Sequence, residues 1–304
     1  MPAGNHSRLN FSRIVEKPCD LMSFLQKYLH GKNRDDIKYL IRKRLITADG
    51  VPCEKAEMML KTGSKIEVGE AEILADKNEN NRLRGVKIVF EDAHLLVVEK
   101  ESGLLSIATD SEKRETAYSI LSDYVKKQHH LNKIFIVHRL DRETSGLMLF
   151  AKSEEVKTLL QESWNESVLQ RTYVAVVEGV MEKYSGTISS YLFETSSMIV
   201  HSSQNPEKGQ WAVTGFLTLE KGKYYSLVKL DLETGRKHQI RVHMCDIGHP
   251  VAGDKKYGAV TNPLKRMGLH AMVLSFVHPV SGEKLFFDTP VPGSFLKITG
   301  KRSD

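Results

Sequence analysis

The chain has 304 residues, 40% hydrophobic and 27% charged, a composition that excludes a wholly disordered protein and allows one large domain with a small appended module. Forty-four Lys and Arg against 38 Asp and Glu give a net charge of +6, which favours polyanionic partners. Three widely separated cysteines argue against a disulfide framework, and no apolar run approaches the roughly 20 residues of a membrane span, so we expect a cytoplasmic protein without membrane contact.

Two helices and two short strands are predicted in the first part of the chain. An apolar stripe at three-and-four spacing predicts a helix from Asp20 to Leu29, with Asp20 as its N-cap. A second helix is predicted from Arg34 to about Arg44, and its apolar face can cover the first. The run ITADG indicates a strand entering a turn, and SKIEV a strand that ends near Val68.

The second predicted helix is rich in basic residues. The candidates for RNA contact are Arg34, Lys38, Arg42, Lys43 and Arg44. A solvated surface helix would show the same pattern, so the charges alone leave both interpretations open. We expect a tail over residues 1–19, a small N-terminal α/β RNA-binding module over 20–76, and a linker over 77–85, where the polar run DKNENNRLRG is almost free of apolar residues.

A larger domain is predicted over residues 86–304. Helical stretches, Ala117 to Gln128 and Glu154 to Trp164, lie between runs of β-type residues. The predicted strands are VKIVF, LLVVEK, IFIV, LMLFAK, TYVAVVEG, YYSLVKLDL and KLFFD. This arrangement predicts an α+β fold, with a mixed, largely antiparallel sheet, flanking helices and a central catalytic cleft.

The polar segment HRLDRETSG, residues 138–146, lies between two predicted strands and is the first candidate for chemistry. Asp141 stands between Arg139 and Arg142, and nearby cations favour an ionised carboxylate. An ionised aspartate in a cleft can act as a nucleophile or base. A tight turn in which Asp141 accepts backbone hydrogen bonds is the alternative.

The segment RTYVAVVEG, residues 171–179, is a predicted strand that carries Tyr173. A tyrosine offers a flat ring for stacking a base and a hydroxyl for hydrogen bonding or proton transfer. A buried structural tyrosine would produce the same pattern.

A third segment, TGRKHQIRVHMCDIGHPVAGDKKYG, spans residues 234–258 and contains a predicted helix from about His238 to Ile247. Three-and-four spacing puts His238, Arg241 and Cys245 on one face, so Arg241 could point into a cleft. Gly248 and Pro250 end the helix before His249, which separates that histidine from Cys245; we therefore predict no metal site.

These three segments, in this order, resemble the motifs of the RluA-like family of pseudouridine synthases. The resemblance extends over EDAHLLVVEKESGLLS and LHAMVLSFVHP, from Val86 to about Pro292, and residues 20–76 resemble the alpha-L RNA-binding module that often precedes this domain. It implies an isomerase that converts uridines of structured RNA, ribosomal or transfer, to pseudouridine by base flipping, without a cofactor. Family members commonly carry Lys-Pro-Ala-Gly where this chain has KESG, residues 100–103.

The resemblance also implies residue roles. Asp141 would be the catalytic aspartate, Tyr173 the base-stacking tyrosine and Arg241 the ion-pair partner of Asp141. Arg139 would enter the helix where the uridine has left. Further substrate contacts are expected from the rest of the motifs: His138, Leu140, Thr144, Arg236, His238 and Gln239.

Two other classes of function remain open from the sequence. A non-catalytic RNA-binding protein would explain the basic module but not the three motif residues. A uracil glycosylase would also need a base pocket and a carboxylate, and it would release free uracil. We expect a monomer with no obligatory protein partner; the RNA that is modified and the atom that Asp141 attacks, uracil C6 or ribose C1′, stay open.

Overall fold

A computed structural model describes residues 11–29, 34–42, 46–53, 55–68, 82–109 and 115–300. The chain divides into two compact units, residues 1–77 and 78–304. Within the described ranges, no helix is both long enough and apolar enough to cross a membrane.

The first unit packs two helices with short strands. Its elements are β1 (Phe11–Ile14), β2 (Cys19–Asp20), α1 (Leu21–Tyr28), α2 (Arg34–Arg42), β3 (Ile46–Ala48), β4 (Val51–Pro52), β5 (Met59–Leu60) and β6 (Lys65–Val68). Four strands form a sheet in the order β1-β6-β3-β4, and β2 pairs with β5. The carboxylate of Asp20 accepts a 2.9 Å hydrogen bond from the Ser23 amide, which confirms the predicted N-cap of α1.

The predicted apolar faces of α1 and α2 form the core of this unit. Leu21, Leu25 and Ile37 are fully buried and pack in one cluster with residues of the sheet. Arg34 and Lys38 are exposed on α2. Lys43, Arg44 and the side chain of Arg42 lie outside the described residues. Whether the unit binds RNA stays a prediction.

The second unit is built on a large sheet flanked by helices. Its elements are β7 (Arg82–Leu83), β8 (Val86–Glu91), β9 (Leu95–Lys100), α3 (Ala117–Gln128), β10 (Phe135–Ile136), β11 (Ser145–Ala151), α4 (Glu154–Glu162), α5 (Trp164–Ser167), β12 (Val168–Glu178), β13 (Ser185–Glu194), β14 (Val200–Ser203), β15 (Gln210–Lys221), β16 (Tyr225–Leu232), α6 (Gln239–Asp246), β17 (Leu269–Val277), β18 (Lys284–Asp288) and α7 (Gly293–Thr299).

Twelve strands form this sheet in the order β14-β13-β15-β16-β12-β17-β11-β9-β8-β7, with β10 on β11 and β18 on β17. The pairing of β11 with β17 is parallel, whereas the other described pairings are antiparallel. The predicted α+β class with a mixed, largely antiparallel sheet is therefore confirmed.

Strand β17 joins the two halves of the sheet. Ala271 lies opposite Gly146 of β11 on one side and Tyr173 of β12 on the other. Gly146 has φ +116°, and a Cβ there would lie 2.1 Å from the Ala271 carbonyl oxygen. Only glycine permits this approach. The close contact fixes the end of the Asp141 segment against β17, whose other neighbour, β12, carries Tyr173.

Two expectations about this unit were wrong. The predicted linker extends to residue 85, but Arg82–Leu83 forms β7, which pairs with β8 through a turn, so ordered structure begins before residue 86. The strands β13, β14 and β15, between residues 185 and 221, form one end of the sheet and were not predicted from the sequence. Hydroxyl residues on the buried face of these strands, Ser190, Thr214 and Thr218, weaken the apolar alternation by which strands are recognised.

Candidate active site

Asp141 lies in the loop between β10 and β11, at the end of the sheet where Gly146 meets β17. Its side chain keeps 26% of its surface exposed. The loop is held from below: the Ser106 hydroxyl donates to the Leu140 carbonyl at 2.6 Å, and the Thr144 amide donates to the Asp141 carbonyl at 3.1 Å. The carboxylate is thus presented from a backbone that is fixed on both sides.

The fully buried Lys100 connects the Asp141 loop to residues 101–104 through hydrogen bonds. Its Nζ donates to the carbonyls of Glu101, Leu104 and Arg142 at 2.9, 2.7 and 3.1 Å. Burial lowers the pKa of Lys100 to about 7, although the three carbonyls suit an ammonium group with three donors. Lys100 is therefore the cross-link between residues 101–104 and the segment that carries Asp141.

Arg241 on α6 connects Asp141 to a second, buried carboxylate. Its Nη1 donates to Asp141 Oδ2 at 2.9 Å, which confirms the predicted ion pair. Its Nε and Nη2 donate to the two oxygens of Asp254 at 2.6 and 2.8 Å. Burial opposes the charge, but the hydrogen bonds and the charge of Asp254 raise the pKa of Arg241, so the guanidinium stays protonated. Asp254 fixes the plane of the fork that meets Asp141.

His238 and Tyr257 complete the surroundings of Asp141. His238 Nε2 lies 3.8 Å from Asp141 Oδ2, and His238 Nδ1 lies 2.6 Å from the Tyr257 hydroxyl. The Arg241 guanidinium lies over the Tyr257 ring, 4.8 Å from its centroid. Burial lowers the pKa of His238 to about 4, against the opposing effect of the Asp141 charge. The imidazole is therefore neutral at physiological pH.

Tyr173 is half-buried on β12 and packs against two core clusters of the second unit. Burial raises the pKa of its hydroxyl to about 12, with the Arg171 charge lowering it and the Asp141 charge raising it. A phenol with that pKa stays protonated at neutral pH. The ring packs against the core and is also partly exposed, and both properties suit a surface on which a base can stack.

The predicted substrate-binding residues divide into two groups. Arg139 and Arg236 are exposed; the Nε of Arg236 donates to the Trp211 carbonyl at 3.1 Å, and its Nη groups are the ones it can offer to an RNA. The others have internal partners, which contradicts a direct substrate role for Gln239: its side chain is buried, accepts from Thr234 and the Arg236 amide, and donates to the Val213 carbonyl and the Thr214 hydroxyl. Gln239 braces the turn that precedes α6.

Of the remaining four, His238 lies beside Asp141 as described above, and His138, Leu140 and Thr144 lie within the second unit's packing. His138 Nε2 accepts from the Leu149 amide at 3.0 Å, and burial lowers the pKa of this histidine to about 4. Leu140 is 4% exposed in a core cluster, and Thr144 is 2% exposed. Leu140 and Thr144 are therefore buried supports of the Asp141 loop, whereas His138 is half-buried and held by the Leu149 amide.

Two side chains at the site were missed from the sequence, Asp254 and Tyr257. Both belong to the AGDKKYG end of the third motif. The sequence could have indicated them, because an acidic and an aromatic residue follow Arg236 and Arg241 within one motif. Their contacts with Arg241 and His238 depend on how residues 248–257 return over α6, which spacing alone does not indicate.

Comparison with known proteins agrees with this arrangement. Residues 94–246 match the family model of RNA pseudouridylate synthase. An uncharacterized RNA pseudouridine synthase of Bacillus subtilis is 34% identical over 79% of this chain and 80% of its own length. Ribosomal large subunit pseudouridine synthase D of Nitrosomonas europaea is 33% identical over 78% of this chain and 71% of its own length.

A solved structure, human RNA pseudouridylate synthase domain containing 1, is 28% identical, with a TM-score of 0.55 over 71% of this chain and 86% of that one. The fold and the paired Asp141 and Arg241 thus define an RNA-modifying isomerase. The chain belongs to the RluA-like family of RNA pseudouridine synthases, which confirms the predicted family and favours an enzyme over a non-catalytic RNA-binding protein.

Proposed function

We propose that this chain converts specific uridines of structured ribosomal RNA to pseudouridine, with Asp141 as the nucleophile. The ion pair between Arg241 Nη1 and Asp141 Oδ2 at 2.9 Å carries the proposal. Arg241 is itself oriented by Asp254, so the carboxylate faces a fixed cation rather than a mobile one. A preorganised charge of this kind costs no reorganisation during the reaction.

The reaction is an isomerisation, so the atoms of uridine suffice. The N-glycosidic bond breaks, the uracil turns, and a new bond joins C5 to ribose C1′, while the C5 proton leaves to solvent and N1 takes up one proton in its place. Asp141 attacks either uracil C6 or ribose C1′, and no cofactor is required in either route. The target base must first leave its stack, at a cost of a few kcal/mol.

Two side chains are suited to bind an RNA from which the target uridine has been flipped out of its stack. Tyr173 offers its half-exposed ring to the uracil, with stacking worth about 1–3 kcal/mol per base. Arg139 is exposed two residues before Asp141, and its planar guanidinium can fill the space that the uridine leaves. Exposed Arg236 is available for a phosphate.

The choice of ribosomal RNA follows from the names of relatives such as the Nitrosomonas europaea enzyme. Exposed Arg34 and Lys38 on α2 supply the N-terminal unit with phosphate contacts. We further propose a monomer that works in the cytoplasm, in keeping with three free cysteines.

Tritium release from RNA labelled at uridine C5 tests the chemistry. Ribosomal and transfer RNA transcripts are incubated with the natural protein, with Asp141→Ala and with Asp288→Ala, an exposed aspartate on β18 as matched control. Release that disappears only in Asp141→Ala, without free uracil, is expected. Free uracil would indicate a glycosylase, and full activity of Asp141→Ala would refute the nucleophile.

Charge reversal tests the N-terminal unit. Arg34→Glu with Lys38→Glu is expected to weaken RNA binding and to reduce the slope of log affinity against log salt by about 1 per lost phosphate contact. Lys284→Glu, on exposed β18, is the control. An unchanged slope would show that α2 does not contact the RNA.

A further inference from the structure

His238 adopts a backbone conformation that is uncommon for residues other than glycine. It precedes α6 with φ +55° and ψ +18°, in the left-handed region that most side chains avoid. Gln239 stabilises the turn, because its side chain accepts a hydrogen bond from the Arg236 amide and donates one to the Val213 carbonyl. Strained backbone of this kind persists where the surrounding structure enforces it, and it concentrates at functional sites. Here the strain directs the imidazole at Asp141.

The hydrogen bonds of Tyr257 determine which nitrogen of His238 carries the proton. The Val200 amide donates to the Tyr257 oxygen at 3.1 Å, so that oxygen already accepts one bond. The Tyr257 hydroxyl lies 2.6 Å from His238 Nδ1, which among the described residues is the acceptor within its reach, so we assign the hydroxyl as the donor of this hydrogen bond. A neutral imidazole has one N–H and one acceptor nitrogen. With Nδ1 accepting, the proton of His238 is on Nε2, the nitrogen that faces Asp141 at 3.8 Å.

We propose that His238 acts as a neutral Nε2–H donor to the reacting carboxylate of Asp141, and that Tyr257 is a positioning residue that fixes this tautomer. The inference rests on the proposed function and deepens it. Arg241 and His238 both approach Oδ2 of Asp141. Arg241 donates to Oδ2 at 2.9 Å and His238 Nε2 lies nearest the same atom at 3.8 Å, beyond hydrogen-bond distance until the carboxylate moves, so Oδ1 is the oxygen left for attack. The His238 proton stays on its nitrogen throughout.

The charges around His238 support a neutral ring. The groups that face it are Asp141, Glu194, Lys237, Arg241, Lys256 and Tyr257. Three of these are cations, and together with burial they outweigh the two carboxylates, so the pKa of His238 is lowered to about 4. The Tyr257 hydroxyl acts in the same direction, because a donor to Nδ1 stabilises the unprotonated nitrogen.

Removing either partner gives a kinetic test. His238→Ala and Tyr257→Phe are each expected to lower kcat about ten- to a hundredfold, the equivalent of one hydrogen bond to a charged group, with KM little changed. His238→Gln should recover part of the loss relative to His238→Ala, because its amide N–H can replace Nε2–H. Tyr184→Phe, at an exposed tyrosine, makes the same chemical change away from the site and is expected to leave kcat unchanged.

The pH profile separates positioning from simple structural support. In Tyr257→Phe, Nδ1 loses its donor and can accept a proton, so the acid limb of kcat should move toward neutral pH. His238→Gly should fold at least as stably as the natural protein, because glycine relieves the left-handed backbone, yet lose activity like His238→Ala. A stable, fully active His238→Gly would overturn the inference.

Nitrogen-15 NMR of the histidine-labelled natural protein tests the tautomer without relying on activity or on a variant that folds. The His238 signals, identified by their loss in His238→Gln, should show a protonated Nε2 and an unprotonated Nδ1 between pH 6 and 8. A protonated Nδ1 overturns the inference. So do values of kcat within twofold of the natural protein in both His238→Ala and Tyr257→Phe, when Asp141 dependence is retained; loss of Asp141 dependence would instead refute the proposed function.

Discussion

Asp254→Asn tests whether the buried carboxylate behind Arg241 organises the site. The substitution keeps the size of the side chain and removes its charge. Breaking a buried ion pair by neutralising one partner costs about 3–5 kcal/mol. The introduced amide would keep one oxygen for Arg241, and Asp141 remains as a counter-ion at 2.9 Å, so we expect a loss near the lower limit, about 3 kcal/mol.

Urea unfolding followed by tryptophan fluorescence measures this loss, because both tryptophans, Trp164 and Trp211, lie in the second unit. A cycle with Arg241→Met should give a coupling energy of about 1.5 kcal/mol or more, since the two side chains share two charge-assisted hydrogen bonds. Asp288→Asn, at an exposed position, should change stability by less than about 0.5 kcal/mol.

Both activity and stability should fall in Asp254→Asn, because Arg241 loses the pair of hydrogen bonds to the Asp254 carboxylate that orients its guanidinium. A stability change below about 1 kcal/mol together with a coupling below about 0.5 kcal/mol would refute the argument. It would mean that Arg241 is held by Asp141 and the Tyr257 ring alone.

Three further outcomes are expected. Gly146→Ala should cost at least about 3 kcal/mol and abolish activity, because its Cβ would meet the Ala271 backbone; near-natural urea stability would contradict this. Lys100→Met should cost about 2–4 kcal/mol, since the three hydrogen bonds that Lys100 Nζ donates to backbone carbonyls are lost together; a loss below about 1 kcal/mol would count against it. Burial lowers the pKa of His243 to about 4, below the value near 6.5 expected in the unfolded chain. The contribution of neutral His243 to the free energy of unfolding is therefore full above pH 6.5 and is lost as the pH falls toward 4. The urea midpoint should drop over that pH range, and it should drop less in His243→Gln.

The motifs and the local elements were predictable from the sequence. The helices from Ala117 and Glu154 begin where expected, because capping residues Thr116 and Ser153 precede amphipathic stretches. The pairing of Asp141 with Arg241 came from a family resemblance, since 100 residues separate them and spacing carries no information about such contacts.

Which polar residues of a motif stabilise the fold and which lie at the active site could not be predicted from the sequence. Gln239 and Arg241 are two residues apart in the same motif, yet one braces a turn and the other meets Asp141. A polar residue in a motif can serve the fold or the reaction, and only its hydrogen-bond partners distinguish the two. The same limit concealed Asp254, whose buried side chain reads in sequence as an ordinary loop aspartate.

The central position of β17 has a consequence for how the molecule assembles. Asp141 belongs to the half of the sheet that contains β11, whereas Arg241 packs with the half that contains β13 and β15, and β17 joins the two. Ser145 and its partner His270 are 125 residues apart, so this closure is a non-local and therefore slow step. A ribosome must translate the chain to about Val277 before the two halves can join. Asp141 and Arg241 thus meet only after β17 has been made, and a chain interrupted before β17 would lack the strand that joins the two halves of the sheet.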